Sequence, residues 1–340
     1  MNSKIKLILD TLAGREIEIL AVYKHPGDAS DRSYYRYLYK ADNEVKTSMM
    51  MKLKDKFDRE TLPFINVHAH LKSSGLRVPE IYGIDGGMGF IVLEDLGDAT
   101  MEMRLGSSEN SEIKNLYEKA IDLLIDMQIK ASPPKTQNCI AFTLEFDIEK
   151  FMFEFNFFKK HYLEGLLKSK ITIADAEALN NEFTNLSEIL ASEPKVFTHR
   201  DYHSRNLMVL NGDLAMLDFQ DARMGLCQYE LASLLRDSYI VLEDSLRDNL
   251  IEYYICKNDA YKGIRTDKDE FRRLFDLTSV QRNIKAIGTF AYQKVVRGND
   301  FYLKYIPDTL RYVKENLEKY EELKGLKTVF GKYIRFSRMG

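Results

Sequence analysis

Cysteine is scarce in this chain. Cys139, Cys227 and Cys256 are far apart and never form a Cys-x-x-Cys pair, which excludes a disulfide framework or a cysteine-based zinc site and predicts a reducing, cytoplasmic setting. Long apolar runs are lacking too. None approaches the roughly 18 residues that a membrane-spanning helix needs, and Leu7-Ile8-Leu9 before Asp10 is too short for a signal-peptide core. Nor does one sign of charge dominate. The 49 Lys and Arg against 52 Asp and Glu leave a net charge of −3, which gives no reason to expect a nucleic-acid or membrane partner. Nothing marks an obligate protein partner. What remains is an ordinary globular composition, 45% hydrophobic and 30% charged, over 340 residues, enough for two units each burying its own core.

The first hundred residues read as strands. Ile17 to Tyr23, the aromatic run Ser33 to Tyr39, Ser48 to Leu53, Val78 to Tyr82 and Gly89 to Glu94 are five of them. Phe64, Val67, His68 and Leu71 repeat at helical spacing before Gly75, so one helix is inserted in an antiparallel sheet. After Gly97 the period becomes 3.6. Ile113 to Met127, a helix capped by Asp147 and running through Tyr162, and Ala174 to Leu190 are predicted helices, as is nearly everything beyond Gln228. The tail after Lys324, with Lys327, Lys332, Arg335 and Arg338, reads as a solvated basic end. The expected organisation is a strand-rich unit over 1–97 and a helical unit over 98–340.

Inside the helical half lies a short β island. Val196-Phe197-Thr198 leads to His199-Arg200-Asp201-Tyr202-His203-Ser204-Arg205-Asn206, and two apolar arms flank Asn211-Gly212-Asp213, a strong hairpin signal. The second arm ends in Asp218-Phe219-Gln220. Phosphoryl transfer needs a carboxylate to orient and deprotonate a hydroxyl, and oxygen ligands for Mg²⁺. A His-Arg-Asp base, an Asn five residues on and an Asp after a hairpin supply them: Asp201, Asn206 and Asp218. Each residue alone would be an ordinary turn or cap former; their order and spacing together are specific.

The segment from Val196 to Arg236 resembles the aminoglycoside phosphotransferase and choline kinase superfamily. The loop His199 to Met208, Leu217 to Arg223, Leu93-Glu94-Asp95-Leu96-Gly97-Asp98 and Arg282 to Phe290 are more similar still to the bacterial kinases that phosphorylate N-acetylmuramate and N-acetylglucosamine at C1. The likeness runs from about Gly27 to Leu310. It implies an α+β, bilobal protein-kinase-like fold: an N-terminal antiparallel sheet lobe with one inserted helix and a larger helical lobe. It also implies ATP and Mg²⁺ as cofactors, Asp201 as the base, and Asn206 and Asp218 as metal ligands.

On the nucleotide side the resemblance assigns the turn around Ser30 and Arg32 to the phosphates, and Glu94 and Leu96 to adenine. On residues alone that turn, with its single Gly27, reads equally as a plain hairpin. Lys52 ends the third strand as a phosphate-binding lysine would, yet about sixteen residues on stands His68 rather than an acid. Tyr229-Glu230-Leu231-Ala232-Ser233-Leu234 carries Glu where the family has the Asp that anchors the catalytic loop. On the substrate side the candidates are His203, Arg223 and Arg282, with Lys285 three residues beyond Arg282 on the same helix face. Arg223 could grip a lactyl carboxylate or merely hold the loop. The expected function is an ATP-dependent sugar kinase acting in cell-wall sugar recycling. The rivals are an aminoglycoside or aminoalcohol kinase, whose cationic substrates call for an acidic pocket, and a nucleotide-binding module without catalysis.

Overall fold

The structure, a computed structural model, describes residues 1–25, 32–41, 43–106, 110–133 and 138–335. A helix not expected from the sequence comes first: α1 (Asn2–Ala13), closed by Gly14 in the left-handed region. Strands β1 (Glu18–His25), β2 (Ser33–Ala41), β3 (Glu44–Lys52), β4 (Ile81–Asp85) and β5 (Phe90–Glu94) form one antiparallel sheet in the order β1-β2-β3-β5-β4. Helix α2 (Pro63–Ser73) is inserted between β3 and β4. Strand alternation splits the side chains between two cores. Met50, Phe90 and Val92 pack under α1 against Ile5 and Leu9. Met51, Ile91 and Leu93 pack on the other face against Phe64, Val67 and Leu71 of α2.

The second core continues into a helical lobe built from α3 (Met101–Leu105), α4 (Asn110–Lys130), α5 (Ile148–Phe158), α6 (Ile173–Ser192), α7 (Gln228–Leu235), α8 (Asp244–Lys262), α9 (Lys268–Val295), α10 (Ile306–Lys319) and α11 (Lys324–Tyr333). Asp147 caps α5 by accepting from the Lys150 amide at 2.7 Å. A π-helical stretch, Lys159–Leu166, extends α5. In the tail Lys327, Lys332 and Arg335 are exposed, as expected, and Arg338 lies outside the described residues, but the apolar residues between them are not solvated. Leu326, Val329 and Phe330 of α11 repeat at i, i+3, i+4 and are buried in the core around α5, α6 and α9.

The β island has four strands. β6 (Lys195–Thr198) pairs with β9 (Arg223–Leu226), and β7 (Leu207–Leu210) with β8 (Asp213–Met216). Asn211 and Gly212 both have positive φ, 52° and 85°, which suits the two-residue turn joining β7 to β8. A hydrogen bond from Met216 N to Arg77 O at 3.0 Å ties the island to the N-terminal part, and one from Val209 N to Ala99 O at 2.8 Å ties it to the segment that follows.

Candidate active site

The loop from β6 to β7 carries Asp201 and Asn206, and the segment from β8 to β9 carries Asp218. The Leu217 amide donates to the Asn206 carbonyl at 2.8 Å, which places Asp218 one residue from the end of that loop. Arg200 and Asp218 adopt positive φ, 82° and 60°, conformations that cost a non-glycine residue free energy and persist where surroundings enforce them.

Those surroundings are built from buried carboxylates. Glu230 of α7, fully buried, accepts from the Arg200 amide at 2.5 Å and the Tyr202 amide at 3.2 Å, so the longer side chain does make the anchor. Burial pushes its carboxyl up to about 7 against the opposing pull of those two amides. Asp237, also buried, accepts from the amide and hydroxyl of Ser204 at 3.0 and 2.5 Å. Arg205 forks onto Glu102 at 2.7 and 2.9 Å, with its guanidinium 3.7 Å from the Tyr239 ring centre. Sequence reasoning missed Asp237 and Glu102, whose partners lie 33 and 103 residues away.

Asp201 faces a cation. Lys285, on α9, donates to its Oδ1 at 2.7 Å. Burial of Asp201 opposes its charge, but Lys285, then Arg200 and His203, outweigh that and hold its carboxyl below the usual carboxylate range. His203 is neutral over the physiological range: burial first, then Arg282, bring its pKa down to about 3. Its Nδ1 is buried without a hydrogen-bond partner, as is Arg282 Nε. Glu154 of α5 was not anticipated, although an acid among Phe151, Phe155 and Phe158 was a visible signal. It is buried, accepts from Gln281 at 2.9 Å, and stands 3.3 Å from Lys150 and 3.6 Å from Arg200. Arg223 lies in this group, nearly buried, 5.2 Å from the Phe146 ring centre.

Asn206 donates its Nδ2 to the Asp201 carbonyl at 2.9 Å, which turns its side-chain oxygen away as a free acceptor. Asp218 is half-exposed, accepts from Gln220 at 2.9 Å and has Arg32 Nη1 3.6 Å away. An amide oxygen beside a carboxylate is a hard-oxygen donor set that suits Mg²⁺, with phosphates and water completing the shell. Among the described residues no group of three His, Cys, Asp or Glu could hold a metal by itself.

On the nucleotide side, Ser30 lies outside the described residues. Lys52 turns to the carbonyls of Met88 and Gly89, at 2.5 and 3.4 Å, in the turn between β4 and β5. Among the described residues it has no helix acid as partner. The Glu94 side chain is held by Arg77 at 2.7 Å and its amide donates to Glu80 O at 2.8 Å. Asp95, between Glu94 and Leu96, is locked by Arg36 at 2.6 Å. Leu96 keeps its backbone groups unbonded among the described residues.

Residues 23–266 match the family model described as "Phosphotransferase enzyme family". The chain belongs to this family. The phosphotransferase is 34% identical over 250 residues, 73% of either chain, to the N-acetylmuramate/N-acetylglucosamine kinase of Neisseria meningitidis. It is 29% identical over 303 residues, 87% of its own length, to the protein of that name in Pseudomonas aeruginosa, of which 83% is covered. In fold it matches an ADP-bound aminoglycoside phosphotransferase with a TM-score of 0.59 at 14% identity, over 93% of this chain and 99% of that one. A choline kinase from Cryptosporidium parvum matches with a TM-score of 0.60 at 12% identity, over 92% and 93%. The bilobal, protein-kinase-like architecture is thus shared with these solved structures, and the phosphotransferase is a kinase.

Proposed function

We propose that this kinase transfers the γ-phosphate of ATP to the anomeric hydroxyl of N-acetylmuramate or N-acetylglucosamine, in the cytoplasm and in the recycling of cell-wall sugars. The observation that carries the reading is the pairing of Asp201 with Lys285, with Arg282 close enough to act on His203 of the same loop. A hemiacetal hydroxyl is more acidic than other sugar hydroxyls, so it needs less help from the carboxylate that takes its proton. Arg223, Arg282 and Lys285 favour a neutral or carboxylate-bearing sugar over polycationic aminoglycosides or choline.

In this reading 1–97 forms the nucleotide lobe and 98–340 the catalytic lobe. Leu96, with Glu94, presents backbone to adenine. Arg32, together with the turn around Ser30, meets the phosphates; Lys52 would have to leave the Met88 and Gly89 carbonyls to join them. Asn206 and Asp218 hold Mg²⁺, which when bound neutralises phosphate charge. Asp201 orients the attacking hydroxyl and takes its proton. His203, Arg223 and Arg282 line the acceptor side, where Arg223 suits the lactyl carboxylate of N-acetylmuramate.

The test is phosphate transfer from ATP, with Mg²⁺, to N-acetylmuramate, N-acetylglucosamine, glucose, choline and kanamycin. Products are read by phosphorus NMR. The reading expects turnover of the two amino sugars and a phosphorus signal coupled to the anomeric proton. Preference for kanamycin or choline would contradict it.

A further inference from the structure

Lys285 stands 2.7 Å from Asp201 Oδ1, and neither residue is exposed: the side chains retain 14% and 26% of their accessible surface. A partly buried ion pair is a poor stabilising device, because desolvating both charges offsets their attraction. Helix α9 does not need it. Asn283 already fixes the helix, donating to the Arg236 carbonyl at 3.0 Å and accepting from Ser279 at 2.9 Å. Close to Lys285, Gly288 lets α9 touch the Phe158 backbone of α5, since a Cβ there would lie 2.8 Å from the Phe158 Cα. The lysine is therefore delivered at a set height by a rigid element.

An ammonium has three N–H donors and no acceptor. Lys285 spends one on Asp201, and no other hydrogen bond of its ammonium is found among the described residues. Asp201 Oδ2 likewise receives no hydrogen bond from them. So the pair presents two open cationic donors next to an open carboxylate oxygen, on the residue whose carbonyl accepts from Asn206. That juxtaposition is what phosphoryl transfer uses: an acceptor for the proton leaving the hydroxyl, and positive charge beside oxygens on which charge is spread in the transition state.

We propose that Lys285 is a catalytic residue, donating from α9 to the transferring phosphoryl group while it holds Asp201 towards the acceptor hydroxyl. It rests on the kinase reading above and adds the group that meets phosphoryl charge from the acceptor side. In the step, the acceptor oxygen bonds to the γ-phosphorus as the bond to the β,γ-bridging oxygen breaks. That electron pair leaves on ADP and the hydroxyl proton passes to Asp201. Lys285 keeps its protons throughout.

The test uses the full-length enzyme carrying Lys285→Met, Lys285→Cys, or Lys285→Cys aminoethylated with 2-bromoethylamine, which restores an ammonium at nearly the same reach. Wild type treated with the reagent controls for the exposed Cys256. Circular dichroism monitors folding. For Met and unmodified Cys, kcat should fall by about 10²-fold or more, the scale of losing one preorganised donor. The KM for ATP should stay within about threefold of wild type, and aminoethylation should recover at least about tenfold in kcat. Retained kcat, a loss confined to the sugar KM, or a loss that aminoethylation does not relieve would overturn the proposal. If the Met variant fails to fold, modified against unmodified Cys decides. Wild type assayed alongside separates the two readings: failure on both amino sugars refutes the acceptor assignment, and Lys285 is then tested on the acceptor that is turned over.

Discussion

Glu230 illustrates what single residues carry. Its two oxygens hold the Arg200 and Tyr202 amides and so fix the backbone on either side of Asp201. Its pKa near 7 lies above the 4.5 of an unperturbed glutamate because it is buried. Between those values the native state binds more protons than the unfolded chain, so stability falls as pH rises across that window, by about 3 kcal/mol in all. Glu230→Gln cannot titrate. The melting temperature of Glu230→Gln minus that of wild type should therefore grow from pH 5 to pH 8; a constant difference would contradict the assignment. At this scale the sequence was legible where spacing is local. Asp201, Asn206 and Asp218 are separated by a fixed loop and hairpin. Lys285 was visible as a basic position, but its contact with Asp201 spans 84 residues and no local pattern encodes it. Lys52 failed to find a helix acid because its ammonium caps the carbonyls of a turn.

At the scale of elements, the approach of α9 to α5 decides where Lys285 stands. Gly288→Ala would force a methyl against the Phe158 backbone, costing about 1–3 kcal/mol and displacing α9. Both melting temperature and kcat should fall. Gly331→Ala on α11, which meets nothing within 4 Å, should leave kcat unchanged and raise stability slightly. Loss of activity in both variants, or in neither, would refute the role of this contact. Strong local patterns made α4, α5, α9 and the β7–β8 hairpin readable. α1 was missed because it buries little more than Ile5 and Leu9, too few for a periodic signal. β9 has four residues, all buried, so nothing alternates. In α11 the basic residues concealed an apolar stripe that tertiary packing buries.

For the whole molecule, the sheet lobe and the helical lobe meet at the β island. The Arg77 carbonyl accepts from the β8 backbone, and Phe64 of α2 stacks on Phe219 beside Asp218 with ring centres 5.0 Å apart. Sliding of α2 would therefore be felt at Asp218, the proposed Mg²⁺ ligand. The bilobal plan was legible because the hydrophobic period changes from 2 to 3.6 after Gly97, whereas the interlobe contacts depend on tertiary structure alone. The net charge of −3 does not reveal Arg223, Arg282 and Lys285, since charge balance over a chain says nothing about one site. Those cations and the paired base lead to the central proposal, that the acceptor is the anomeric hydroxyl. The most direct measurement offers the enzyme equal amounts of N-acetylglucosamine and its methyl glycoside, with ATP and Mg²⁺, and identifies the phosphorylated products by mass spectrometry. Phosphate on the free sugar alone is the predicted result; phosphate on the glycoside at a comparable rate would contradict it.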